Sequence, residues 1–146
     1  MYKHILVPVD LNDESFADKA VEHAIWLAGQ TGATLHLLTA LPGIHNSMVQ
    51  SYFPEDAARQ MKQDVRNNLK AFAERMMPDG VAYDLSVAEG KPYKAIVKTA
   101  ESLGCDLIIM PSHKRSRANK LIIGSVASKV LEQSKVNVLI LKPQTD

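Results

Sequence analysis

The sequence predicts an α/β domain built on an open, five-stranded parallel sheet with helices on both faces. Three observations predict it. Short apolar, β-branched runs recur along the chain, and stretches of helical periodicity separate them. The runs end at a carboxylate or a turn pair, and the periodic stretches open or close on capping residues. The length of 146 residues, 46% hydrophobic and 23% charged, suits one domain (1–146) with one substantial core.

HILVPVD, from His4 to Asp10, is a short apolar run ending in a carboxylate, which reads as a buried strand and a turn. LNDESFADKAVEHAIWLAGQTG follows, with Phe16, Ala20, Val21, Ala24, Ile25 and Ala28 at the spacing of one helix face. Asn12 or Asp13 is placed to cap its start, and Gly29 or Gly32 to end it. Ala33 to Leu41 is a second strand, closed by Pro42-Gly43. Ile44 to Phe53 has no periodicity and reads as a loop. From Pro54, the stripe Ala57, Met61, Val65, Leu69, Phe72, Met76 marks a long amphipathic helix.

VAYDLSVAEG alternates apolar and polar residues, as a strand near a sheet edge does. Gly90-Lys91-Pro92 starts a helix, with Pro92 suited to its first turn. Tyr93, Ile96, Val97, Ala100 and Leu103 form its apolar face, and Gly104 stands where a C-cap belongs. CDLIIMP is the fourth strand. Ser125 to Ser134 reads as a helix with Val126, Ala127, Val130 and Leu131 inward, VNVLIL as a fifth strand, and KPQTD as a frayed tail. Strands alternating with helices give right-handed crossovers and a sheet covered on both sides.

The charge balance excludes more than it suggests. A formal net charge of +1 gives no sign of nucleic-acid or membrane-surface binding. The lone Cys105 excludes an internal disulfide and a cysteine-rich zinc site, and reads as a small core residue. After Tyr2-Lys3-His4 the apolar run Ile5 to Val9 stops at Asp10, unlike a signal peptide, and no run approaches the ~20 residues of a membrane span. A cytoplasmic, reduced protein is expected. His4, His23, His36 and His45 are scattered without ligand spacing, so no metal site is expected. Met61, Met76 and Met77 read as core or rim, and Glu55, Asp56, Arg59, Lys62, Asp64 and Arg66 as a solvated helix face. No GxxxxGK[ST], GxGxxG or GxSxG pattern occurs, so no catalytic residue is assigned.

One stretch concentrates chemistry. MPSHKRSRANKLIIGS, Met110 to Ser125, joins a strand end to a helix start, and four of the seven residues from Lys114 to Lys120 are basic. A loop entering a helix at Gly124-Ser125 offers unpaired N–H groups and a positive dipole end to an anion. In parallel sheets ligands lie beyond the carboxyl ends of the strands, near the point where strand order reverses. Asp10 and Met110-Pro111-Ser112-His113 stand at such ends. Asp10 suits either helix capping or hydrogen bonds from a base or sugar.

YKHILVPVD, GKPYKAIVKTAESLGCDLIIMPSH and LIIGSVASKVLEQSKVNVLILK together resemble the universal stress protein family over nearly the whole chain. The resemblance implies a Rossmann-like sheet of strand order 3-2-1-4-5, a homodimer joined through the last strand, and bound ATP with any Mg²⁺ carried by the nucleotide. Its nucleotide-binding members carry G-x2-G-x9-G-[ST]; Gly124-Ser125 matches, while the first two glycines fall on Pro111 and Lys114. By position, Pro8, Val9, Asp10 and Ala40 would line the adenosine end, Met110, Pro111, Ser112, His113 and Lys114 the ribose and phosphates, and Gly124, Ser125 and Val126 would hold the phosphates. Val136, Val138, Leu139 and Ile140 would form the dimer interface. The function implied is stress adaptation or signalling, with an unidentified regulated protein as partner. The rivals are an interaction module of the same fold without nucleotide and, last, a slow ATPase.

Overall fold

The computed structural model describes residues 1–12, 14–41, 55–112 and 123–142, with 14–16 described by backbone alone. Asp13, the expected loop from Ile44 to Phe53 with His45, and the run from His113 to Ile122 lie outside the described residues.

Five strands form one sheet: β1 (His4–Pro8), β2 (Thr34–Leu41), β3 (Tyr83–Glu89), β4 (Leu107–Pro111) and β5 (Asn137–Leu141). All neighbours are parallel, in the order β3-β2-β1-β4-β5, as the sequence predicts. The connections include α1 (Glu14–Thr31), α2 (Glu55–Met76), α3 (Pro92–Ser102) and α4 (Ser125–Gln133). The inner strands carry near-continuous apolar runs because helices cover them on both sides. Ile5, Val7, Leu35, Leu37 and Ile109 pack under α1 and α2, whereas Leu6, Leu38, Ile108 and Met110 pack under α3 and α4. Full burial of each such side chain contributes ~1.5–3 kcal/mol. Cys105 is buried in the second layer, as expected of a small core residue.

Several local readings shift. β1 ends at Pro8, which has no N–H to donate, yet Val9 remains buried and its N–H donates to the Leu38 carbonyl at 2.7 Å. α1 continues through Gly29, and the chain turns at Gly32 (φ 75°), whose N–H donates to the Ala28 carbonyl. Gly29 costs the helix ~1 kcal/mol, and Ala28 beside it is buried.

Three residues assigned to apolar faces stand half-exposed. Leu103 is the C-cap of α3 (φ −91°, ψ 0°), so it leaves the helical spiral that carries Ile96 and Ala100 inward. Leu131 lies on α4 beside the edge strand β5, where the sheet stops and part of the apolar stripe overhangs. Met61 belongs to the amino half of α2, whose buried residues are confined to Leu69, Phe72 and Ala73.

Candidate functional site

The chain runs from β1 out to β2 and β3 on one side, then returns to place β4 and β5 on the other. Strand order therefore reverses between β1 and β4, and the connections leaving their carboxyl ends separate to opposite faces. A cleft of about 610 Å³ opens there, within the size range of small-molecule sites.

Its floor is made by strand ends. Pro8 closes β1 and Val9 and Asp10 follow it, Leu38 to Leu41 close β2, and Met110 and Pro111 close β4, with Ser112 next. The Thr39 hydroxyl donates to the Val9 carbonyl at 3.1 Å, in a buried bond that ties the first two ends together. Asp10 Oδ1 accepts from the Asn12 N–H at 2.9 Å, a local turn that aims the chain toward α1. That bond lies ahead of α1 and is a turn, not a helix cap, and the same residue borders the cleft.

One wall is the start of α4. Gly124 occupies φ 72°, ψ 154°, a region essentially restricted to glycine, and among the described residues no side chain caps the helix. The N–H groups of the first turn have no intrahelical acceptor, and Gly124, Ser125 and Val126 all line the cleft. Opposite them, the Ser112 backbone N–H donates to the Leu141 carbonyl at 2.9 Å, extending the β4–β5 ladder past Pro111. The Ser112 hydroxyl is different. Its oxygen is buried without a hydrogen-bond partner, and its residue faces the cleft. A buried hydroxyl without a partner costs ~1–3 kcal/mol.

The residues singled out by sequence thus come together: Pro8, Val9, Asp10, Ala40, Met110, Pro111, Ser112, Gly124, Ser125 and Val126 line one cleft. His113 and Lys114 lie outside the described residues. Sequence reasoning missed Val65 and Asn68, which α2 brings to the rim, and Pro92 and Ile96 from α3. Val65 carried a signal, since it stands on the apolar stripe of α2 but is only half-buried. Asn68 carried none.

The donors at this cleft suit a phosphate-bearing ligand: helix N–H groups, the Ser125 hydroxyl with the Ser112 hydroxyl buried beside the cleft, and a glycine that lets a ligand approach the backbone. Pro111 supplies no N–H where the family pattern has glycine. Among the described residues, no group of three or more His, Cys, Asp or Glu side chains could hold a metal. No described helix is long and apolar enough to cross a membrane.

Comparison with known proteins agrees with this architecture. Universal stress protein G of Shigella flexneri is 31% identical over 145 residues, covering 97% of this chain and all of that protein. Universal stress protein MJ0577 of Methanocaldococcus jannaschii is 27% identical over 97% of this chain and 96% of its own length. The solved MJ0577 structure superposes with a TM-score of 0.81 at 25% identity, covering 100% of this chain and 99% of that one. A universal stress protein solved in complex with cAMP shares the fold at TM-score 0.62 and 23% identity, covering 97% of each chain. The model of the universal stress protein family matches residues 1–142, and the chain belongs to that family.

Proposed function

We propose that the chain binds ATP in the cleft between β1 and β4, as a cytoplasmic homodimer that serves stress adaptation or signalling and not as an enzyme. The observation that carries this reading is the Ser112 hydroxyl, buried without a partner on the surface facing the uncapped start of α4. A phosphate oxygen satisfies both at once: it accepts from the hydroxyl and from the helix N–H groups, with the helix dipole favouring its charge. The adenosine end falls to Val9, Asp10 and Ala40 at the far side of the cleft, where the Asp10 carboxylate can accept from the base or ribose. A member of the same fold has been solved in complex with cAMP, also an adenine nucleotide. Any Mg²⁺ would be carried by the phosphates.

Pro111 is the observation that favours the second reading, a nucleotide-free interaction module, because it removes a backbone donor. In the ATP reading, side-chain charge from Lys114 offsets that loss. Calorimetry separates the two. ATP should bind more tightly than adenosine, the difference should shrink as salt is added, and Lys114→Ala should weaken ATP while sparing adenosine. Equal binding of ATP and adenosine would make the basic run a solvated loop without a phosphate role, and binding of neither would return the chain to the nucleotide-free reading.

Dimerisation through β5 is supported by its place at the sheet edge, where unpaired backbone groups invite a second strand. Leu139 is 37% exposed on that edge, while Val136, Val138 and Ile140 pack partly against the α3–α4 layer. A wild-type monomer in sedimentation at micromolar concentration would overturn this assignment.

A further inference from the structure

At the amino ends of the strands, on the face covered by α3, three titratable side chains form a row across β1, β2 and β3. His36 is 5% exposed. Its Nδ1 lies 2.7 Å from Asp84 Oδ1, and its Nε2 lies 3.0 Å from Nδ1 of His4. The two rings sit 5.2 Å apart at 33°.

The row's hydrogens follow from valence. An ionised carboxylate only accepts, so Nδ1 of His36 carries a hydrogen. Neutral His36 then offers Nε2 as an acceptor, and His4 must donate from Nδ1, leaving its own Nε2 bare. A first added proton, taken at Nε2 of His4 or passed across the bridge to Nε2 of His36, leaves both hydrogen bonds intact. A second proton puts a hydrogen on each of the two facing nitrogens. The bridge then has two donors and no acceptor, and two like charges stand in contact.

The surroundings decide which residue yields. Asp84 holds His36 from the β3 side. His4 is half-buried, and Asp106 accepts from the backbone N–H groups of Lys3 and His4 at 2.8 and 3.3 Å, so the strand stays anchored if the ring swings out. The Cys105 thiol, buried on the same face, is pushed up to about 11 by burial and then by Asp106 and Asp84. It stays neutral where histidines change charge. α3 turns Ala95, Ile96 and Ala100 to the sheet, with Lys94, Lys98 and Glu101 exposed.

We propose that Asp84, His36 and His4 form a proton-operated latch, which joins the amino ends of three strands while it holds one added proton or none, and releases the His4 ring at the second. Imidazole nitrogen NMR on the intact ¹⁵N-labelled chain, from slightly alkaline to mildly acidic pH, tests it. Nδ1 of His36 should stay protonated throughout. A coupling across the N···N hydrogen bond should survive the first proton and vanish with the second, as the His4 signals move to those of an exposed ring. In His4→Leu, the His36 signals should move in a single step. In Asp84→Ala, whose side chain is half-exposed in the wild type, His36 should lose its preference for the Nδ1 hydrogen. Two rings that titrate independently, with the same curve whether or not the other is present, would overturn the proposal. So would a His36 tautomer unchanged by Asp84→Ala.

Discussion

At the amino end of the sheet, the polar side chains satisfy one another. Asp106 accepts from two backbone N–H groups, and His36, almost fully buried, is bonded on both ring nitrogens. At the carboxyl end of the same strands, the Ser112 hydroxyl is buried without a partner and the first turn of α4 is uncapped. Both ends have polar groups against the same apolar layers, so burial alone does not distinguish them. The difference lies in where the chain leaves the sheet. Register closes the amino end, because parallel pairing sets His36 beside Asp84 and two residues from the partner of His4. The connections diverge at the carboxyl end and leave a cleft. At one end of this sheet the polar side chains answer one another, and at the other the donors face an open cleft.

Substitutions at the two ends should therefore fail in different assays. The largest effect is expected from Gly124→Val. A branched side chain at φ 72°, ψ 154° is strained by on the order of 1–3 kcal/mol and stands where the proposed ligand would meet the backbone. ATP binding should disappear in calorimetry while thermal unfolding still shows a folded domain. Next comes Asp84→Ala, which leaves the buried Nδ1 of His36 without its partner in either tautomer. That should cost ~1–3 kcal/mol, read as a lower urea midpoint at unchanged slope, with ATP affinity unaltered.

Ser112→Ala is the converse. Removing a hydroxyl that has no partner should leave the urea midpoint unchanged or slightly raised, while ATP affinity falls about fivefold, the equivalent of one hydrogen bond of ~1 kcal/mol. A loss of stability without a loss of affinity would erase the contrast between the two ends.

The last effect is confined to alkaline pH and concerns Cys105, whose thiol is raised from an ordinary 9.0 to about 11. The folded state holds that proton more tightly than the unfolded chain does. Its contribution to stability is therefore complete below pH 9.0 and is lost as pH rises toward 11. Urea midpoints should fall over that window in the wild type, and less in Cys105→Ala.

Much of this contrast was legible in the sequence, but unevenly. The parallel sheet and its two covering layers followed from runs such as Ile5 to Val7 and Leu107 to Met110, because only strands covered on both faces can be so apolar, whereas strand order followed from the family resemblance. The cleft followed from Asp10, Pro111 and Gly124-Ser125, since the ends of strands and the start of a helix are marked by local chemistry. The half-exposure of Leu131 did not follow, because helical spacing identifies a face but not where the sheet beneath it stops. Nor did the contribution of Val65 and Asn68, which reach the cleft from a helix packed on the other half of the sheet. The latch was wholly hidden. Its members are 32 and 48 residues apart, and only strand register brings them together.

The central claim, that the carboxyl end of the sheet takes a nucleotide through its phosphates, is met most directly by native mass spectrometry of the intact chain titrated with ATP and, separately, with adenosine. The expected result is one ATP per chain, with adenosine bound more weakly and no ATP adduct on Gly124→Val at the same concentrations. Adenosine binding as well as ATP, or Gly124→Val binding ATP like the wild type, would contradict it.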